Sequence, residues 1–407
     1  MAHKLLKSAS VMMLLVLIFN IFATSVAAIN NDDFSTAEDV ICISHRGDWH
    51  SFPENSLEAV KAAIRYGAVS VDVKVTKDGK AVLMADDTTD RMVVDADGKT
   101  VSRNVSDLTL EELTALYLRA ENGGEDKAKT ECKVASLEAA ITAAGDTALI
   151  LNLNCEAFDT VYQTVKELNA TDKVIFRFNT DSNNDIIETT QNAKDITVFG
   201  NYQGNIIFLA TSAVKNSFKN GMTTVELGSK NGNGVLYDEL LMSYFENEGR
   251  AMVSMVGGRS GKRPDNERGW DDLITLGYSV IETDYPEQLS VYLDRIEDEK
   301  KQLAYFVDLY KSTDLQPYTT DTENAFADAL TNAQVLCDSV SSLSELQNAR
   351  FSLQSSYDNL TLGEKKAVTL KFDFTVGRLL AVVLVGAAFV VSQILLFKRR
   401  DKNKKAQ

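Results

Sequence analysis

Residues 40–76 read VICISHRGDWHSFPENSLEAVKAAIRYGAVSVDVKVT. A short β-branched run at 40–44 is followed by an amphipathic stretch at 56–66 and a second β-branched run at 69–73. A two-residue period giving way to a 3.6-residue period and back again predicts strand, helix, strand, the unit from which parallel sheets are built. Further apolar runs at 81–84, 148–153, 174–178, 196–199, 223–227, 251–255 and 279–283 repeat the first, with helical patterns such as 110–118 between several of them. Roughly eight such units in about 250 residues predict an α/β fold, a TIM-type (β/α)8 barrel over residues 39–295. A doubly wound open sheet is the alternative, because periodicity alone does not close a ring.

Beyond residue 294 the strand signal stops. Residues 297–312, 321–340 and 343–360 carry apolar positions at three- and four-residue spacing, which predicts a small helical segment over 297–365. The two ends differ from everything between them. Residues 1–28 join a basic start (Lys4, Lys7), an apolar run and small residues Ser25, Ala27 and Ala28, the layout of a secretory leader. Residues 379–397 are uncharged and almost wholly apolar, and Lys398, Arg399, Arg400, Lys402, Lys404 and Lys405 follow at once. About 20 apolar residues suffice for one transmembrane helix, and the basic 398–407 tail places that end in the cytoplasm. A single-pass protein of the cell membrane, with its N-terminal domain outside, is the expectation.

Net charge is −16 over 407 residues, and setting aside the basic tail and leader leaves about −23 on the remainder. Such a surface repels nucleic acid and anionic lipid, so any phosphate-bearing ligand needs a locally positive pocket. Cys42, Cys132, Cys155 and Cys337 are too few for a disulfide framework and match no zinc spacing. Cys132 with Cys155 is a possible pair, and buried free thiols are the reading preferred here. Asn104, Asn169 and Asn359 each open an N-x-S/T sequon.

The chemistry concentrates early in the chain. His45-Arg46-Gly47 ends the first strand, and Pro53-Glu54-Asn55-Ser56 opens the helix after it. Val71-Asp72-Val73, Thr76-Lys77-Asp78-Gly79, Asp86-Asp87-Thr88 and Asp90-Arg91 then follow in order. At a strand's C-terminal end a guanidinium grips phosphate through paired donors and an imidazole moves a proton near neutral pH. Glu54 and Asn55 are expected to start the helix and brace the loop. The acidic turn at Asp86, Asp87 and Asp90 is read as a solvated surface.

In order and spacing these motifs closely resemble the glycerophosphodiester phosphodiesterase family, with further matches at Leu108-Thr109, Glu112-Leu113, Ser136-Leu137-Glu138 and Thr283-Asp284-Tyr285-Pro286. The resemblance spans roughly residues 40–293. It implies catalytic roles for His45 and Arg46, substrate contacts from Arg46, Glu54 and Asn55, and a divalent cation, calcium or magnesium, if the site is active. It also implies a glycerophosphodiester, or a glycerophosphate-bearing lipid or wall polymer, as ligand.

Four positions depart from that pattern. The acidic E-x-D strand reads Ser70-Val71-Asp72, leaving Asp72 as a weak metal ligand with Glu54 a possible second. The later strand, with Glu and a Lys two residues on in the family, reads Asn152-Leu153-Asn154. The histidine of the HD pair is Ala85. Hard cations want several charged oxygens, and general acid catalysis is worth about 10²- to 10⁴-fold, so a degenerate site is expected. His50 is a possible substitute for the missing acid.

Gly257-Gly258-Arg259-Ser260-Gly261-Lys262 lacks P-loop spacing. With Arg263 and Arg268 it is expected to form a loop of positive charge, and neighbouring Trp270 to be a packing residue. Residues 316–360, with a Tyr318-Thr319 turn and recurrent Ala and Leu, resemble the small helical FIVAR module of bacterial surface proteins, a plain spacer being the alternative. Three readings follow: a headgroup-binding protein, a hydrolase with an altered site, and a structural surface protein.

Overall fold

In the computed structural model of the chain, residues 29–363 are described apart from 36–38, 230–235, 237, 246–247, 259 and 261. The expected leader, membrane segment and basic tail lie outside the described residues. Among the described residues no helix is long and apolar enough to cross a membrane.

Eight parallel strand positions form the barrel. β1 (Ile41–His45) pairs with β2 (Ala68–Val75), then come β7 (Leu149–Leu153), β8 (Val174–Phe178), β9 (Thr197–Val198) with β10 (Gly200–Gln203), β11 (Thr224–Gly228), β12 (Arg250–Ser254) and β13 (Tyr278–Thr283), which returns to β1. The run 196–199 expected as one strand extends further and divides. β9 pairs with β8 and β10 with β11, and Phe199 between them donates its N–H to Phe176 O at 3.0 Å, so residues 197–203 carry the ring round. This nearly closed ring favours the barrel over the open sheet.

The expected strand at 81–84 is real but lies outside the ring: β3 (Ala81–Leu83) folds back antiparallel on β2. A small antiparallel sheet of β4 (Val93–Val94), β5 (Tyr117–Arg119) and β6 (Lys129–Lys133) follows it. These strands are too short and too polar for a two-residue period to announce them, and β5 replaces the end of the helix expected at 110–118, where α2 (Leu110–Thr114) is a single turn.

Strand residues alternate sides, so every second residue of each barrel strand faces inward. The inward set changes character along the barrel axis. Its lower layers are Ile41, Ile43, Ala68, Ala148, Ile150, Ile175, Met252 and Val280, closed at the N-terminal end by Phe34, whose ring meets Phe199 at 5.3 Å. One inward step further up, the residues are His45, Ser70, Asn152, Arg177, Glu226, Ser254 and Glu282. The apolar floor excludes water, and the polar upper layer forms the base of the barrel mouth.

The barrel helices are α1 (Leu57–Ala63), α3 (Leu137–Ala144), α4 (Phe158–Glu167), α5 (Asn183–Thr190), α6 (Ile207–Lys219), α7 (Glu239–Met242) and α8 (Glu267–Thr275). Then α9 (Pro286–Tyr310) runs unbroken for 25 residues, followed by α10 (Thr320–Cys337) and α11 (Leu343–Asp358). By internal contacts the chain divides into two units. One holds residues to Thr313 with Asn324–Asn359, and the other holds Asp314–Glu323 with the chain from Leu360. In the second, Thr319 N donates to Thr361 O at 2.9 Å and Tyr318 bridges to Leu362.

Within the first unit α11 is bolted to the barrel by one carboxylate. Asp271 of α8 accepts from Tyr292 OH at 2.6 Å, from Ser344 Oγ at 2.5 Å and from Ser344 N at 3.1 Å. Thr275 Oγ1 donates to Ser342 Oγ at 2.8 Å beside it. The Asp271→Ala variant strands three donors and should lose about 1–3 kcal/mol of stability in urea titration, with Tyr292→Phe losing less, about 1 kcal/mol.

Candidate functional site

The site forms where β1 ends. Arg46 and Asn55 both adopt left-handed backbone, φ 58° and 56°, and Asn55 N donates to Arg46 O at 3.0 Å. Non-glycine residues hold this conformation only where their surroundings require it. Gly47 follows at φ 79°, and a side chain there would meet the Ala59 backbone at 2.6 Å, so only glycine lets the loop lie against α1. The helix cap is Ser56, whose side chain accepts from Ala59 N. Glu54 and Asn55, expected to start the helix, instead precede it and turn inward, 2% and 4% exposed.

Glu54 is shared by two guanidinium groups. Arg46 Nη1 donates to its Oε2 at 2.9 Å and Arg91 Nη2 to its Oε1 at 2.6 Å. Arg91 also holds Asp86 at 2.5 Å, and Lys74 holds Asp87 at 2.5 Å, so two carboxylates of the expected solvated turn are paired. Burial works against both guanidinium charges, and the carboxylates outweigh it, raising their pKa values.

Asp72 is equally occupied. Arg46 Nε lies 2.7 Å from its Oδ2, as an ion pair out of line for a hydrogen bond. Asn55 Nδ2 donates to the same oxygen at 3.1 Å, and Asp72 N donates back to Asn55 Oδ1 at 2.9 Å. Asn152 Nδ2 reaches Asp72 Oδ1 at 3.5 Å, while Asn152 Oδ1 is buried without a donor among the described residues.

His45 makes a dyad with Asp284. Nδ1 stands 2.8 Å from Asp284 Oδ1, which also accepts from Trp49 Nε1 at 2.9 Å. Burial would raise the Asp284 carboxyl, yet the hydrogen bond and charge of His45 and the Trp49 donor hold it below the usual carboxylate range. Against an ionised carboxylate only a protonated Nδ1 bonds, which leaves Nε2 as the basic nitrogen. Asp265 fixes the dyad from behind, accepting from Asp284 N at 2.9 Å and Thr283 Oγ1 at 2.7 Å.

Beneath the dyad lies a buried ionic cluster that sequence reading missed. Arg177 Nε donates to Glu226 Oε2 and Nη1 to Glu282 Oε1, each at 2.7 Å. Glu282 also accepts from Ser70 Oγ at 2.7 Å and Ser254 Oγ at 2.5 Å. Both glutamates are 1% exposed. Burial would raise Glu282, but Arg177, then His45, then the two serines hold it far below its ordinary value. The available signal was the inward register: Ile175-x-Arg177 and Val280-x-Glu282 put charge where a barrel interior is otherwise apolar.

The other expected residues are scattered. Ala85 lies in the turn after β3, and Asn154 is exposed ahead of a single 3-10 turn without capping it. His50 sits exposed on the rim, its ring 3.8 Å from Trp49 and 4.9 Å from Tyr285. Arg259 lies outside the described residues. Lys262 and Arg268 are exposed, and Arg263 pairs with Asp272 at 3.6 Å. Trp270 is fully buried against Tyr292, a packing residue as expected. All four cysteines are free, including Cys132 and Cys155.

A family model, the glycerophosphoryl diester phosphodiesterase family, matches residues 45–253, half of the sequence. The chain belongs to that family. A glycerophosphodiester phosphodiesterase of Caldanaerobacter subterraneus is 32% identical over 129 residues, 31% of this chain and 49% of its own length. The mouse glycerophosphodiester phosphodiesterase 1 is 36% identical over 105 residues, 25% of this chain and 30% of its own. The chain thus spans half or less of these relatives. A crystal structure of a glycerophosphoryl diester phosphodiesterase from Parabacteroides distasonis superimposes with TM-score 0.51 at 22% identity, covering 65% of this chain and 91% of that one, a likeness of fold.

The cation that the family resemblance implies does not fit this donor set. Of the three expected carboxylates only Asp72 remains, with a guanidinium against its Oδ2; Ser70 is committed to Glu282, and Asn152 offers one uncharged oxygen. Among the described residues no group of three His, Cys, Asp or Glu side chains is arranged to hold a metal.

Two consequences are measurable. Arg177→Met removes the guanidinium that offsets two buried carboxylates and should cost about 3–5 kcal/mol in denaturant unfolding, with stability returning when Glu226 and Glu282 are also replaced by leucine. Glu282 and Asp284 titrate lower folded than unfolded, so the stability they contribute is present above the ordinary carboxylate range near pH ~4 and is lost as pH falls below it. Thermal melts from pH 7 to pH 3 should show that decline, shallower in Asp284→Asn.

Proposed function

We propose that this chain is a membrane-anchored, outward-facing member of the family that binds a glycerophosphate-type headgroup, on a lipid or a wall polymer, and has lost most of the family's hydrolytic capacity. The observation that carries this reading is the state of Asp72: the last carboxylate at the expected cation position is ion-paired with Arg46 and hydrogen-bonded by Asn55. Arg46 and Arg91 remain partly exposed, 25% and 30%, with donors that a phosphate can share with Glu54. Ala85 supplies no proton to a departing alcohol. Residues 1–28 and 379–407 support export and anchoring.

Calorimetry with glycerophosphocholine should show binding that persists in a chelator and is lost in Arg46→Ala; absence of heat both with and without divalent ions would overturn the ligand claim. Restoring Ser70→Glu, Ala85→His, Asn152→Glu and Asn154→Lys together should raise turnover by about 10² or more over the native chain.

A second reading, a hydrolase with an altered site, is favoured by one observation, the intact dyad. With Asp284 holding Nδ1, His45 keeps a basic Nε2 for proton transfer. It requires native turnover that disappears in His45→Ala, and no turnover across calcium, magnesium, manganese and zinc removes it.

A further inference from the structure

Among the described residues from Phe34 to Tyr285, each exposed large apolar side chain follows the C-terminal end of a parallel barrel strand. Phe52 follows β1, Ile206, Ile207, Phe208 and Leu209 follow β10, Leu240 follows β11 and Tyr285 follows β13. In a parallel barrel these segments share one end, the end that holds His45, Arg46 and Asp284. Among the described residues the helix-side loops at the opposite end contribute none. Phe208 is 79% exposed, Leu240 67% and Ile206 57%.

The start of α6 supplies four of these seven side chains. Its cap position is Ile206, which makes no side-chain capping bond, and its first turn has no acid. Exposed helix starts in water favour Ser, Thr, Asp or Asn, as at Ser56, Ser136, Ser182 and Asn266 here. Four consecutive apolar residues stand there instead. Residues 196–214 carry no charge at all in a chain of net −16.

We infer that the barrel mouth docks on the interface of a zwitterionic phospholipid bilayer, with the 206–209 turn, Leu240, Phe52 and Tyr285 entering the boundary between headgroups and acyl chains. The inference rests on the anchored, headgroup-binding reading above and adds the surface that meets the lipid. Two features select this occupant. The segment between Gly363 and Leu379 is fifteen residues, so a bilayer holding residues 379–397 lies no more than about 50 Å from Gly363. That tether chooses no orientation, and the apolar ring does. An uncharged apolar turn with no flanking Lys or Arg gains by burial and not by attraction to anionic lipid, which the acidic chain repels. Docked this way, Arg46 and Arg91 open at headgroup depth.

The test uses the full chain with phosphatidylcholine vesicles whose acyl chains are brominated. Phe208→Trp, and Leu240→Trp as a second position, are compared with Tyr305→Trp on α9, 63% exposed and away from the mouth, each corrected for native Trp49 and Trp270. Emission from both mouth tryptophans should fall by about half on brominated vesicles relative to unbrominated ones, with Tyr305→Trp nearly unchanged. Equal quenching at all three positions, or none at the mouth while the chain floats with the vesicles, overturns docking and leaves anchoring standing. A chain that floats with no vesicle and shows no quenching overturns both. Mouth quenching without heat from glycerophosphocholine keeps docking and sinks the headgroup reading. A blue shift at Phe208→Trp that grows with protein concentration in lipid-free buffer assigns the ring to a second copy and overturns the lipid inference.

Discussion

A guanidinium with two carboxylates already at hand is the constraint on which this mouth is organised. Arg46 joins Glu54 to Asp72, and Arg91 joins Glu54 to Asp86, so one continuous chain of alternating charge crosses the site. The left-handed backbone at Arg46 and Asn55 is tolerable because this chain fixes both ends of the loop. Its electrostatic effect is to set two guanidinium charges against the three carboxylates a hard cation would seek, while leaving donors that an anion can share.

Below it, the barrel interior repeats the same principle with deeper burial. Two glutamates and one arginine would be costly to bury singly; the serines at 70 and 254 donate to Glu282 and Gln203 Nε2 donates to Glu226 at 3.3 Å. Ser70 therefore has a structural reason: it donates to Glu282 from a strand two positions away around the ring. The substitution at one inward position and the charge at another belong to one rearranged layer.

Much of this was legible in the chain. The βαβ period at 40–76 led to the barrel, and the motifs around His45, Asp72 and Asp284 located the mouth. Other parts were not legible, for physical reasons. The single strand at 196–199 could not reveal its division at Phe199, because pairing partners are tertiary. Glu226 and Glu282 sat unremarked inside correctly read strands, since a period marks a strand without saying which face is wet. Glu54 and Asn55 looked like helix-start residues by type, whereas Ser56 takes the capping bond and frees both to turn inward.

The unbroken α9 has a practical corollary for anyone isolating the catalytic-type fold. It begins two residues after Asp284 and spans roughly 37 Å at 1.5 Å per residue, with Tyr292 near its start joined through Asp271 to Ser344. A fragment cut at the sequence-defined border near residue 296 ends inside that rod and sheds the partner of Asp271. Protease-resistant fragments should instead retain α11, and expression boundaries are better drawn beyond Asp358.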